Sequence, residues 1–135
     1  MSLTKADNAV AVGNNAIVAG ANSIGIGRNS NVTGDSSIAI GVGNQVSGNA
    51  SGAFGDPTVV TGDAAYSIGN NNNIAQNNTF VVGNNITSTQ GNSVILGNVS
   101  TDRAATSETG ITIDGKAYQF DGVGSVANGV VSVGK

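Results

Sequence analysis

Ser36-Ser37-Ile38-Ala39-Ile40-Gly41 is the stretch whose reading decides the fold, because its pattern returns every fourteen residues. Upstream it appears as Asn8-Ala9-Val10-Ala11-Val12-Gly13 and Asn22-Ser23-Ile24-Gly25-Ile26-Gly27. Downstream it drifts through Ser51-Gly52-Ala53-Phe54-Gly55, Ala65-Tyr66-Ser67-Ile68-Gly69 and Thr79-Phe80-Val81-Val82-Gly83 to Asn92-Ser93-Val94-Ile95-Leu96-Gly97. The closing glycine falls at 13, 27, 41, 55, 69, 83 and 97 without a slip. A fixed short period marks a repeat architecture and not an ordinary globular domain.

Within one period the apolar residues alternate, which is the signature of a strand and not of a helix. A second, weaker strand follows the glycine: Val18, Val32, Val46, Val60 and Ile74 recur, flanked by polar residues such as Asn31, Thr33, Gln45, Ser47, Thr61 and Asn73. Fourteen residues hold two short strands and two tight turns. The spacing therefore predicts coils stacked as parallel strands about 4.8 Å apart, forming a rod roughly 30 Å long.

The first strand has two unlike faces. One carries Val10 and Val12, Ile24 and Ile26, Ile38 and Ile40, Phe54, Tyr66 and Ile68, Phe80 and Val82, Val94 and Leu96. The expectation is that this face lines the interior of the coil, with Phe54 filling the gap left by Gly52. The other face carries Ala11, Gly25, Ala39, Ala53 and Ser67, then Val81 and Ile95. Small uncharged residues are poorly suited to water, so this face is expected to pack closely against further copies of the chain, as a lone stack of such thin coils has little core.

The composition fits this reading. Of 135 residues, 39% are hydrophobic but only 4% aromatic, and tryptophan is absent, which argues against a thick globular core. Charged residues make up 10%, with a net charge of −3, and no basic stripe is present, so nucleic acid is not an expected partner. With no histidine and no cysteine, the common nucleophile–base pairs and soft metal sites are missing. Asp7, Asp35 and Asp63 share a column two coils apart, about 10 Å by strand spacing and on the wide side for a glycosidase pair. They read as turn acids. No enzyme activity, cofactor or metal is expected.

Asn22 to Gly27, Ser36 to Gly41 and Asn92 to Gly97 resemble the Asn-Ser-Val-Ala-Ile-Gly signature of the YadA-like head repeats of trimeric autotransporter adhesins, and the resemblance covers residues 7–102. It implies a left-handed parallel β-roll with three chains around an axis, exposed on a bacterial surface outside the outer membrane. It also implies a homotrimer, with Ala11, Gly25, Ala39, Ala53, Ser67, Val81 and Ile95 as the expected trimer interface. The implied partners are a host matrix protein such as collagen, or the host cell surface.

The remaining segments follow from local signals. Met1-Ser2-Leu3 reads as a tag remnant, so residues 1–6 are expected to lead into the roll. No apolar run reaches the roughly 20 residues of a membrane helix, and no secretory signal precedes Asp7, which suggests an excised piece of a longer surface protein. Pro57 falls in a turn, where its missing N–H costs no ladder bond. After Gly83, Ile86 arrives two places early, which predicts a shortened or rearranged turn. Residues 103–129 read as a connector with a hairpin, Ile111-Thr112-Ile113 and Lys116 to Phe120 around Asp114-Gly115, capping the roll. Residues 130–135 resemble the start of the family's neck.

The expected fold is thus all-β, a trimeric parallel roll of fourteen-residue coils closed by a C-terminal hairpin. For function, two readings stand side by side. One is an adhesin head for matrix or cells, or for autoaggregation or biofilm. The other is a spacer holding a more distal binding domain away from the membrane. If the head binds, the exposed second strand and adjoining turns are the expected site: Arg28, Asn29, Asn31, Thr33, Asn44, Gln45, Ser47 and Thr61.

Overall fold

The computed structural model describes residues 1–134. It is a β-solenoid of about seven turns built from two parallel sheets, with no helix among the described residues. The smaller sheet stacks β1 (Leu3–Thr4), β3 (Ile17–Val18), β5 (Asn31–Val32), β7 (Gln45–Val46), β9 (Thr58–Val60) and β11 (Asn72–Ile74). The larger stacks β2 (Val10–Val12), β4 (Ile24–Ile26), β6 (Ile38–Ile40), β8 (Gly52–Phe54), β10 (Tyr66–Ile68), β12 (Phe80–Val82), β13 (Val94–Leu96) and, last, β16 (Val131–Val133). From β2 to β13 each strand of the larger sheet pairs with the one fourteen residues on, as Ile24 with Ile38 and Ile38 with Gly52. The fourteen-residue spacing seen in the sequence is therefore the hydrogen-bonding register itself.

The coil turns a corner every seven residues. Asn8, Asn15, Asn22, Asn29, Ser36, Ala50, Ala64, Asn71, Asn78, Asn85, Asn92 and Val99 all hold φ between 51° and 60°, and Gly43 takes its place in the series at 75°. Asparagine is the commonest of these residues because its short amide tolerates the left-handed region and hydrogen-bonds locally. Pro57, whose ring fixes φ negative, interrupts the series. The periodic glycine has a different cause. A Cβ added at Gly13, where φ is 129°, would sit 2.6 Å from the carbonyl oxygen of Gly27 in the next coil. Successive coils approach too closely there for any side chain.

The interior is the reverse of the expectation drawn from the first strand. Ala39, Ala53, Ser67, Val81 and Ile95 are fully buried within a single chain, Gly25 is buried, and Ala11 is half-buried against the core. They face Val18, Val32, Val46, Val60 and Ile74, which come from the smaller sheet and are also buried. The gap between the sheets is narrow: a Cβ on Gly25 would lie 2.7 Å from Cγ2 of Val18. A β-branched residue on one sheet therefore requires a small one opposite. Where Ser88 succeeds Ile74 in the central column, the larger sheet compensates with Val81 and Ile95. Because these small residues are already enclosed by their own chain, they form its core and do not form a surface for a second copy. The isoleucine and valine ladder points outward.

Three further expectations are corrected. Residues 1–6 contribute β1, in which Leu3 pairs with Ile17 and Thr4 with Val18. The turn after Gly83 keeps its length: Asn85 is a regular corner, and Ile86 occupies the buried corner column of Ser30, Asn44, Thr58 and Asn72, two places before the central column. The hairpin β14 (Gly110–Ile113) and β15 (Lys116–Gln119) forms as expected but pairs only with itself. The strand that closes the larger sheet is β16, in parallel with β13, Val94 opposite Val131 and Leu96 opposite Val133. The segment read as the start of the neck thus supplies one more strand of the roll, apart from Lys135, which lies outside the described residues. The hairpin is carried on an excursion from the eighth coil.

Candidate interaction surfaces

The corners are joined by side-chain ladders along the rod. At the left-handed positions amide bonds amide: Asn8 Nδ2 donates to Asn22 Oδ1 at 3.2 Å, Asn71 to Asn85 at 2.7 Å and Asn78 to Asn92 at 3.0 Å. One residue earlier, a side-chain oxygen accepts a backbone N–H from the preceding coil. Ala21 N donates to Asp35, Asp35 N to Asn49, Asn49 N to Asp63 and Asp63 N to Asn77, all at 2.8–3.0 Å. Asp35 and Asp63 are acceptors in this ladder, interchangeable in role with Asn49 and Asn77. Inside, Ser37 Oγ donates to Gly48 O and Asp35 O and accepts Ser51 N, and Ser23 and Ser51 repeat the pattern. These ladders satisfy the polar groups that a coil this thin has to bury.

The outward wall of the smaller sheet holds most of the residues expected at a binding site. Asn31, Gln45 and Val59 lie side by side in register. Thr33, Ser47 and Thr61 form an exposed column two residues further along the chain. Arg28 and Asn29 are exposed at the adjoining corner, where Asn29 Oδ1 accepts from Asn15 at 3.5 Å. Asn44 does not belong to this wall. It is fully buried, with Nδ2 donating to Ile40 O at 3.1 Å and Gly55 O at 2.6 Å, and so it braces two coils from inside. The alternation of the strand puts it on the inner face, two residues before Val46. Its oxygen has no partner, whereas the equivalent oxygen of Asn72 accepts Ile86 N at 2.9 Å.

The outward face of the larger sheet is a second surface, of opposite character. Val10, Val12, Ile26, Ile40, Ile68, Phe80, Val82, Val131 and Val133 are exposed on it, with Ile24, Ile38, Phe54, Tyr66, Val94 and Leu96 half-buried between them. Neither outward column carries a charge. An apolar face this continuous marks an interaction site on a soluble protein. The polar wall offers a different chemistry, with amide and hydroxyl groups at strand spacing and Lys5 as the one charge in its two outward columns among the described residues. No group of three or more acidic, histidine or cysteine residues able to hold a metal ion is found among the described residues.

The YadA head domain repeat family matches the chain at residues 5–30, 19–44 and 33–56, in windows that start fourteen residues apart and so keep step with the coils. No curated protein matches the chain. Beyond residue 56, where Gly52, Phe54 and Pro57 have already departed from the pattern, the same paired strands continue without a break from β8 to β13. The matched repeats and the unbroken parallel solenoid together support a YadA-like head of the kind carried by trimeric autotransporter adhesins.

Proposed function

We propose that the chain acts as the binding head of a homotrimeric surface adhesin, assembling through the apolar face of the larger sheet and touching host matrix or cells with the polar wall of the smaller one. The observation that carries this reading is the division of one thin solenoid into an uncharged aliphatic face and a mainly amide–hydroxyl face on opposite sheets. Fifteen aliphatic and aromatic residues directed at water are a liability in a monomer, and copies of the same face are the partner a surface adhesin always has at hand. Assembly on that side leaves Arg28, Asn29, Asn31, Thr33, Gln45, Ser47 and Thr61 facing outward.

The purified chain is assayed on immobilised matrix proteins, collagen among them, and on cultured cells, beside a triple variant Asn31→Ala, Gln45→Ala and Thr61→Ala. Binding by the parent chain and loss of binding in a variant that keeps its β-sheet circular dichroism support the polar wall as the site. No binding by a correctly assembled parent chain favours the spacer reading instead, in which the roll only extends the fibre.

A further inference from the structure

We infer that Asn128 is a site of spontaneous covalent change, in which deamidation through a succinimide inserts an extra backbone carbon in front of β16 and unseats the last strand of the roll. The chain is rich in asparagine, yet Asn128-Gly129 is its one Asn-Gly pair. Succinimide formation needs the backbone nitrogen of the following residue to reach the side-chain carbonyl carbon, and glycine alone places no side chain in the way. The structure leaves both reacting groups free. Asn128 is exposed at the end of a turn, its backbone N–H donating to Ser125 O at 3.1 Å, while its side-chain amide and the N–H of Gly129 take part in no hydrogen bond among the described residues. The corner asparagines of the roll differ on both counts: many are tied into ladders, and each is followed by a residue with a side chain.

The chemistry balances with water alone. Gly129 N attacks Cγ of Asn128, forming a C–N bond, and the amide nitrogen leaves as ammonia with the proton that Gly129 gives up. Water then opens the five-membered imide at one of its two carbonyls. One opening yields aspartate, and the other yields isoaspartate, in which the chain runs through the side-chain carbon.

The isoaspartate cannot keep the local packing. Gly129 lies so close to the carbonyl oxygen of Asn92 that an added Cβ would overlap it. The next residue is pinned twice: Val130 O accepts Val94 N at 2.8 Å, and Val130 N donates to Ser93 Oγ at 3.3 Å. One additional backbone atom immediately before these anchors shifts Val130 out of register and with it the pairing of β16 on β13. The strands before β13 have no share in those contacts and stay intact.

The test is to age the purified chain at mildly alkaline pH and follow it by intact mass and peptide mapping, with Asn128→Gln as the control. The expected result is a gain of about 1 Da located at Asn128 before any other asparagine, isoaspartate detectable there by enzymatic methylation, and amide exchange at Val131–Val133 faster by roughly tenfold or more. Asn128→Gln should show neither change over the same period, and Asn128→Asp should keep β16 protected, because it adds the charge without lengthening the backbone. Conversion that begins at corner asparagines while Asn128 stays intact overturns the site. Isoaspartate at 128 with unchanged exchange in β16 overturns its consequence.

Discussion

Tyr66 lies over Gly52, one coil back in the same outward column: a Cβ built on Gly52 would stand 2.7 Å from the ring Cδ1 and 3.5 Å from the Phe54 ring. The missing side chain of β8 is thus replaced by a ring from the next strand, and Phe54 completes the cluster. Gly52→Val should cost about 1–3 kcal/mol, since the ring has to leave its seat. In a Tyr66→Ala background the same substitution should cost far less, because the obstruction is gone. Thermal unfolding of the four proteins of this double-mutant cycle measures the coupling, and additive effects would show that the two residues do not share the space.

Neighbouring residues of β6 should respond in opposite ways to the same substitution. Ala39 is 0% exposed and Ile40 is 39% exposed. Ala39→Lys forces a cation between the two sheets and should unfold the coil, whereas Ile40→Lys should leave the β-sheet spectrum intact and dissociate the proposed trimer. Light scattering with circular dichroism on the purified chain separates the two. An Ile40→Lys protein that stays trimeric would remove the larger sheet from the interface.

Val99 closes the series of left-handed corners with φ 56°, a conformation that a β-branched side chain adopts only at a cost. Val99→Asn should stabilise the C-terminal coils by about 1 kcal/mol and let Asn85 extend its amide ladder by one rung. Amide exchange at Val94–Leu96 should slow, while that of β4 and β6 should not change.

Asp35→Asn and Asp63→Asn should leave the unfolding midpoint and any adhesion unchanged. Each carboxylate accepts one backbone N–H, a role that Asn49 and Asn77 already fill in the same column. The alanine variants, which lack the acceptor, should lower the midpoint. A turnover of glycan lost in the asparagine variants would falsify the non-enzymatic reading.

Much of this architecture is legible in the chain because a solenoid writes its hydrogen-bonding register into its sequence. The glycines at 13 to 97 and the valines at 18 to 60 fall where the period places them, and the parallel stacking follows. What alternation does not encode is which side is in. A period of two assigns Ile38 and Ile40 to one face and Ala39 to the other, and the usual preference for burying the larger residues gives the wrong answer when the sheets are too close to admit them. The same closeness hides Asn44, whose amide looks like turn chemistry until its place on the inner face is known. β16 had a visible signal, since Val131-Ser132-Val133-Gly134 repeats the spacing of Ile38-Ala39-Ile40-Gly41, but the intervening excursion breaks the count that would have linked them.

The corners recur every seven residues, but the two sheets alternate every fourteen. A gain or loss of fourteen residues changes the rod by one step of about 4.8 Å and leaves every other residue on its own side. A change of seven would also preserve the corners, yet it would transpose the sheets downstream, moving the aliphatic columns to the wall of the smaller sheet and the amide columns to that of the larger. Viable length variants of such a head are therefore quantised in whole coils, and the gene behaves as a ruler whose graduations are read in pairs of corners.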